Sequence, residues 1–419
     1  MNPIYSAGIW LYRQGVRLAA CRNNKAANLN RGLSETFVLL RQKIDPKSRY
    51  IWIHAASLGE FEQGRPLIEM LRREHPELKI LLTFFSPSGY EVRKNYDGAD
   101  VICYLPFDTS RNVRRFLDIV NPSIAIFVKY EFWGNYLNEL NRRHIPTYLI
   151  SGVFRSNQLF FKPYGGFYRR WLRNFTHLFV QDEGSKKLLQ NIGVTDVTVA
   201  GDTRFDRVSD IMRTVRPIPE LDAFCGARTP ARTTPVFIAG SSWPADEEIY
   251  ARWVTQHPEV KVIIAPHEFD PERLDKLKEL FGRENTILLS EIRNGRRQPG
   301  AQQVLVIDCF GLLSSAYAYA DFAYIGGGFG AGLHNINEAA VYGIPVVFGP
   351  NHSKFIEAEE IKTLGGGIAV HSREGFERTA SRLLCDTVER NQRGRWAAEY
   401  IQSKLGATRL IYNSLPLDS

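Results

Sequence analysis

The stretch Tyr324-Ile325-Gly326-Gly327-Gly328-Phe329-Gly330-Ala331-Gly332-Leu333-His334-Asn335-Ile336-Asn337-Glu338 decides the fold of this 419-residue chain. An apolar strand, Phe322–Ile325, runs into a glycine-rich loop, and a helix is predicted to start near Asn335. Backbone N–H groups in such a loop and at such a helix start can cradle a phosphate. Gly328, Gly330, His334 and Asn335 are therefore candidate ligand contacts, and Glu338 could accept hydrogen bonds from ribose hydroxyls. The spacing is not a Walker A loop, because no Lys-Ser/Thr follows the glycines. It is not a first-strand dinucleotide fingerprint either, because the run falls late in its alternating block.

Outward from this loop, short apolar runs alternate with amphipathic stretches. Tyr50–His54, Ile80–Phe85, Ile124–Val128, Thr147–Ile150 and Leu178–Gln181 read as strands, with helical patterns at Glu60–His75 and Arg111–Ile119. The pattern restarts after a Pro-punctuated, loop-rich stretch from Arg213 to Pro235, giving strands at Val236–Ala239, Val260–Ala265, Val304–Ile307, Phe322–Ile325 and Val346–Phe348. Alternation of this kind predicts parallel sheets covered by helices on both faces. The reading is an α/β chain with two Rossmann-like domains facing a central cleft. Ligands of such sheets bind beyond the carboxyl ends of the strands. The boundaries are an N-terminal segment 1–45, a first domain 46–215, a second domain 216–395 and a C-terminal helix 396–419, around Trp396–Leu410, that could cross back to the first domain.

Composition narrows the function. Hydrophobic residues make up 44% of the chain, enough for substantial cores, and the net charge is +8 with a pI near 9.1. An acidic partner follows, but no zinc-finger spacing, RNP-like strand or Lys/Arg block points to nucleic acid. The five cysteines are dispersed, odd in number and form no CxxC pair, as in a reducing compartment. Residues 1–21 are aromatic and basic, with Trp10, Tyr12, Arg13 and Arg17 among apolar neighbours. The two arginines argue against a membrane span. An amphipathic helix lying on a membrane fits, as does a helix packed on the body of the protein.

Two further motifs carry candidate chemistry. His54-Ala55-Ala56-Ser57-Leu58-Gly59-Glu60 ends a strand, turns on small residues and opens a helix with a carboxylate. On its chemistry alone Glu60 reads first as a helix-capping residue, since the dipole favours negative charge there, and second as a candidate general base. The dipole would lower its pKa, so base work requires burial to raise it. Phe127-Val128-Lys129-Tyr130-Glu131-Phe132-Trp133-Gly134-Asn135 supplies a second carboxylate, Glu131. No D-x-D element occurs, so no catalytic metal and no cofactor is expected; loop amides and basic side chains would stabilise a leaving phosphate.

Taken together these motifs resemble those of the Kdo (3-deoxy-D-manno-octulosonic acid) transferases, from about Ile51 to the C-terminal helix. His54–Glu60 resembles the family's H-x-A-S-x-G-E element, and Phe127–Asn135 its E-T-E-x-W-P-N stretch, with Lys129 and Gly134 as departures. Gly201–Asp206 resembles G-x-x-K-[FY]-D, with Arg204 in the lysine position. Ala239-Gly240-Ser241-Ser242 is similar to the A-G-S-T turn, and Leu333–Glu338 to G-H-N-x-x-E. Pro266–Arg273 departs from P-R-H-P-E-R by lacking the arginine after proline, leaving His267 for its contact.

The resemblance implies a GT-B fold and an inverting glycosyltransferase that moves Kdo from CMP-Kdo to a lipid A precursor such as lipid IVA, in lipopolysaccharide synthesis at the cytoplasmic face of the bacterial inner membrane. It implies Glu60 as catalytic base, with Glu131 supporting either the acceptor or the fold. Substrate contacts are assigned to Ser57, Gly59, Arg155, Arg204, Ser241, Ser242, His267, Gly328, Gly330, His334, Asn335 and Glu338. The N-terminal segment and the basic residues Lys162, Arg169, Arg170 and Arg173 would meet an anionic membrane surface. Phe160–Tyr164 would meet acyl chains or pack as a core loop. Two rivals remain: another GT-B enzyme acting on UDP-sugars, and a binding protein that keeps the fold without turnover.

Overall fold

The continuous apolar run Tyr50–His54 is wholly buried, as expected of a parallel strand covered on both faces. It is the first strand of a computed structural model that describes residues 3–227, 229, 232–330 and 332–417. The chain forms two units, Met1–Arg207 with Leu405–Ser419, and Val208–Lys404.

The first unit holds seven strands: β1 (Tyr50–His54), β2 (Lys79–Phe84), β3 (Val101–Tyr104), β4 (Ile124–Val128), β5 (Thr147–Gly152), β6 (His177–Val180) and β7 (Val197–Val199). All pairings are parallel, in the order β3-β2-β1-β4-β5-β6-β7. Side chains alternate between faces: Trp52 joins the core with Phe116 and Tyr136, whereas Ile51 and Ile53 join Leu67, Leu71 and Ile411. Five helices matter for the site: α1 (Pro3–Ala19), α2 (Asn24–Lys43), α3 (Leu58–Glu74), α4 (Pro87–Arg93) and α5 (Ser110–Val120).

The second unit repeats the design with β8 (Val236–Ser242), β9 (Lys261–Pro266), β10 (Thr286–Leu288), β11 (Val304–Val306), β12 (Phe322–Ile325), β13 (Val346–Phe348) and β14 (Gly367–Ala369). Its order is β10-β11-β9-β8-β12-β13-β14, again all parallel. Each sheet has one point where the winding reverses, between β1 and β4 and between β8 and β12; ligands of such sheets bind beyond the strand ends there.

Four strands escaped the sequence reading: β3, β7, β10 and β14, each three or four residues long. The stretch expected to be loop-rich contains a helix, Pro219–Cys225, started by a proline at its first turn. The single C-terminal helix is two, Thr387–Ser403 and Ala407–Asn413, divided at Gly406 with φ +107°. The helix expected from Asn335 is one turn, Asn337–Ala340.

α1 packs on the first unit. The Tyr5 hydroxyl donates to Asp108 Oδ2 at 2.6 Å and its ring meets Trp171 edge-on. Tyr12 stacks on Phe85 and meets Phe107 edge-on. Trp10, Leu11 and Leu18 remain exposed. No helix among the described residues is long and apolar enough to cross a membrane. In the loop after β5, Phe160 is buried against Phe132, while Tyr164 is exposed.

Candidate active site

At the reversal point of the first sheet, β1 ends in His54 and β4 leads to Lys129–Glu131, so both candidate carboxylates lie beyond adjacent strands. Ser57 is extended and begins α3, and Glu60 folds back over it. Glu60 Oε2 accepts from the Ser57 N–H at 2.9 Å and lies 3.2 Å from the Ser57 hydroxyl. This is the carboxylate half of a capping box. Burial, the largest cause, and then the charge of Glu131 raise the Glu60 carboxyl above its ordinary range, against the opposing pull of Ser57 and His54. The capping and base readings of Glu60 thus coexist in one geometry. A Cβ on Gly59 would meet open space.

Glu131 is held from the opposite side. Its Oε2 accepts from the Trp133 indole N–H at 2.6 Å and lies 3.1 Å from His54 Nε2. His54 is fully buried, and its Nδ1 sits 2.9 Å from Thr83 Oγ1. That oxygen accepts from the Trp52 indole at 2.8 Å, and Nδ1 also lies 3.1 Å from the Thr83 carbonyl oxygen. His54 Nε2 also lies 3.2 Å from the Trp133 indole nitrogen, so His54, Trp133 and Glu131 form one cluster. Sequence reasoning gave His54, Thr83 and Trp133 no role; a histidine closing a fully buried strand was the available signal.

Two backbone positions beside these groups are left-handed: Lys129 at φ +69° and Ser151, the last residue but one of β5, at φ +56°. Non-glycine residues there cost of order 1 kcal/mol and gather at functional sites. Arg155 is exposed in the loop after β5 and acts electrostatically on Tyr130, as does Glu60. Arg204 is forked onto Asp202 at 2.8 and 2.6 Å. Asp206, in the same motif, accepts from the N–H groups of Gly406 and Thr408, both at 2.7 Å.

At the reversal point of the second sheet, Ser241 is left-handed, φ +53°, and Ser242 is buried with its hydroxyl donating to Glu247 Oε1 at 2.8 Å. The Arg273 guanidinium also binds Glu247. His267 stacks on Trp243, with centroids 4.4 Å apart, and lies 4.7 Å from His334. Trp243 Nε1 donates to His334 Nε2 at 3.1 Å. Burial first, and then His267, lower the His334 pKa, which keeps the ring neutral enough to accept that bond. Glu338 accepts from Ser314 Oγ at 2.5 Å and from Asn335 Nδ2 at 3.1 Å.

The glycine-rich loop differs from an open phosphate cradle. The N–H groups of Gly326, Gly327, Gly330, Gly332 and His334 are bonded within the unit, that of Gly327 to Asp246 Oδ2 at 2.7 Å. A Cβ on Gly326 would strike the Ser241 carbonyl, and one on Gly328 the backbone of Gly349, whereas Gly330 faces open space. Close packing of loops thus explains the first glycines. Asn335 Oδ1 accepts from Asn337 N–H at 3.1 Å, so the one-turn helix has little N-terminal field to offer a phosphate. Asp246 was missed in the sequence because Asp246-Glu247-Glu248 reads as the ordinary acidic start of a helix. It is fully buried and also accepts from Tyr324 OH and Trp243 N–H at 2.8 and 3.0 Å, joining both loops.

Residues 31–207 match the family model described as 3-deoxy-D-manno-octulosonic-acid transferase (kdotransferase). A Haemophilus influenzae 3-deoxy-D-manno-octulosonic acid transferase is 26% identical over 404 residues, covering 93% of this chain and 92% of that protein. A Chlamydia trachomatis protein of the same description is 28% identical over 339 residues, 77% of this chain and 75% of the relative. Among solved structures, the Neisseria meningitidis UDP-GlcNAc 2-epimerase superposes with TM-score 0.59 at 15% identity, covering 87% of this chain and 98% of the epimerase. MurG of Acinetobacter baumannii gives 0.53 at 11% identity, with 87% and 98% covered. Both are likenesses of fold, and the fold is GT-B.

Proposed function

We propose that this chain, which belongs to the Kdo transferase family and is a glycosyltransferase, transfers Kdo from CMP-Kdo to a lipid A precursor with inversion at the anomeric carbon. The observation that carries the reading is the pair of carboxylates beyond β1 and β4. Glu60 is fixed by Ser57, raised in pKa by burial and by Glu131, and partly exposed. A base whose pKa is raised toward the working pH takes a proton from a hydroxyl more effectively. Glu60 removes the acceptor hydroxyl proton as the oxygen attacks the anomeric carbon and CMP departs from the opposite face. Glu131, held by Trp133 and His54, stands beside Glu60 and acts on its carboxyl electrostatically.

Donor recognition is assigned to the second unit. The Trp243–His267–His334 stack offers a flat face for the base, and Glu338, braced by Ser314 and Asn335, offers acceptors for ribose hydroxyls. Ser241 and Ser242, at the turn, are assigned to the phosphate. Arg155 and Arg204 are assigned to the acidic sugar; Arg204 would exchange part of its fork on Asp202 for the Kdo carboxylate. The reaction is placed at the cytoplasmic face of the inner membrane, with α1 lying on the anionic surface through exposed Trp10, Leu11 and Leu18.

The test is transfer of Kdo to a lipid A precursor by purified protein and by Glu60→Gln. Loss of a base is expected to lower kcat by ~10²–10⁴, with CMP affinity unchanged. Full activity in Glu60→Gln would move the base elsewhere. Absence of transfer by the folded wild type would overturn the substrate assignment.

A further inference from the structure

α1 does more than expose an apolar face. Arg13 and Arg17 stand one helical turn apart and so share a side of the helix. Both line a cavity of about 200 Å³, together with Asn30 and Ser34 of α2. Phe37 and Phe107 form part of its apolar floor. Neither guanidinium has an ion pair among those found between the described residues, and no carboxylate lines the cavity. The nearest acid in sequence to that wall, Asp108, is buried and already accepts from Tyr5 OH and the N–H groups of Asn135 and Tyr136. A third guanidinium, Arg115 of α5, lies 4.1 Å over the Phe37 ring.

Two cations over a polar and apolar pocket call for a compact anion. A guanidinium fork fits the oxygens of a phosphate, and two forks fit a dianion best. The anion's carrier is also indicated: exposed Trp10, Leu11 and Leu18 adjoin the arginines on the same helix, so the charge belongs to an amphiphile. A chain of aromatic contacts runs from the cavity wall to Glu131. Phe107 meets Phe85 at 5.9 Å between centroids, Phe85 meets Trp133 at 4.8 Å, and Trp133 holds Glu131.

We propose that Arg13 and Arg17, with Asn30 and Ser34, form a binding site for the phosphomonoester of an amphiphile whose acyl chains lie along α1. Naming that amphiphile as the acceptor rests on the function proposed above; the site itself does not.

The experiment measures binding of the full chain to phosphatidylcholine vesicles carrying either phosphatidic acid, a phosphomonoester, or phosphatidylglycerol, a diester, at matched surface charge. The wild type is expected to bind the phosphomonoester vesicles about fivefold more tightly. Arg13→Gln with Arg17→Gln should abolish that preference. Arg111→Gln with Arg114→Gln, which removes two exposed charges of α5 outside the cavity, should weaken both vesicles alike and keep the preference. Equal binding of the two vesicles by the wild type overturns the site, as does a preference that survives in the Arg13/Arg17 variant or vanishes in the control. Kdo transfer is scored separately. A protein that keeps the preference but transfers no Kdo overturns the acceptor reading alone. A protein that transfers Kdo without the preference overturns this site alone.

Discussion

The Glu60 carboxylate accepts from Ser57 on one side and faces the Glu131 charge on the other, so its protonation reports on its neighbour. Burial and Glu131 both raise its pKa. The proposed base works deprotonated, so activity is expected to fall as pH falls through that raised value. In Glu131→Gln the repulsion is gone while burial remains. The acid limb of kcat/KM is therefore expected to move to lower pH, by less than the whole shift. Profiles of the wild type and the variant between about pH 4.5 and 8 check this against the ordinary glutamate value of ~4.3. An acid limb that stays in place would mean that Glu131 does not act on Glu60 through its charge. The sequence made Glu60 legible because a carboxylate three residues after Ser57 is a local pattern. The brace on Glu131 was only half local: Trp133 is two residues away, but His54 and Thr83 come from separate strands that only the sheet brings to it.

At the scale of elements, the strand-loop-helix unit around residues 322–340 was legible in outline and misread in its chemistry. The glycines were visible, but the surfaces they pack against were not. Gly326 is pressed against the Ser241 carbonyl and Gly328 against Gly349, contacts between loops distant in sequence. Gly326→Ala would force the β8 turn aside, and overpacking of this kind costs ~1–3 kcal/mol. Gly330→Ala meets nothing and should fall within ~0.5 kcal/mol of the wild type. Urea unfolding of the two variants measures the difference. The missed strands share a place in the fold: β3, β7, β10 and β14 are the edges of their sheets, three or four residues long, and each is defined by pairing with a single neighbour. Strands buried on both faces, such as β1 and β12, announce themselves by unbroken apolar runs.

At the scale of the whole molecule, the alternation of apolar runs revealed two sheets, but the exchange of chain between the units is set by particular side chains. The helix Thr387–Ser403 belongs to the second unit and the helix Ala407–Asn413 to the first, and the chain passes between them at Gly406, whose φ of +107° favours glycine. Apolar spacing runs through this joint, so periodicity alone read one helix. What draws the tail to the first unit is specific: Ile411, Leu415 and Leu417 enter the core with Ile51 and Ile53, and Asp206 accepts from Gly406 and Thr408. Burial of three aliphatic side chains stabilises by roughly 5 kcal/mol, and an unpaired Asp206 adds to the loss. Deleting residues 405–419 is therefore expected to destabilise the first unit selectively. Hydrogen exchange should quicken in β1, β2 and β4 while β8, β9 and β12 keep their protection, since those strands touch none of the deleted side chains. Equal quickening in both sheets would show that the two units unfold as one; an unchanged first sheet would show that the tail packs without stabilising it.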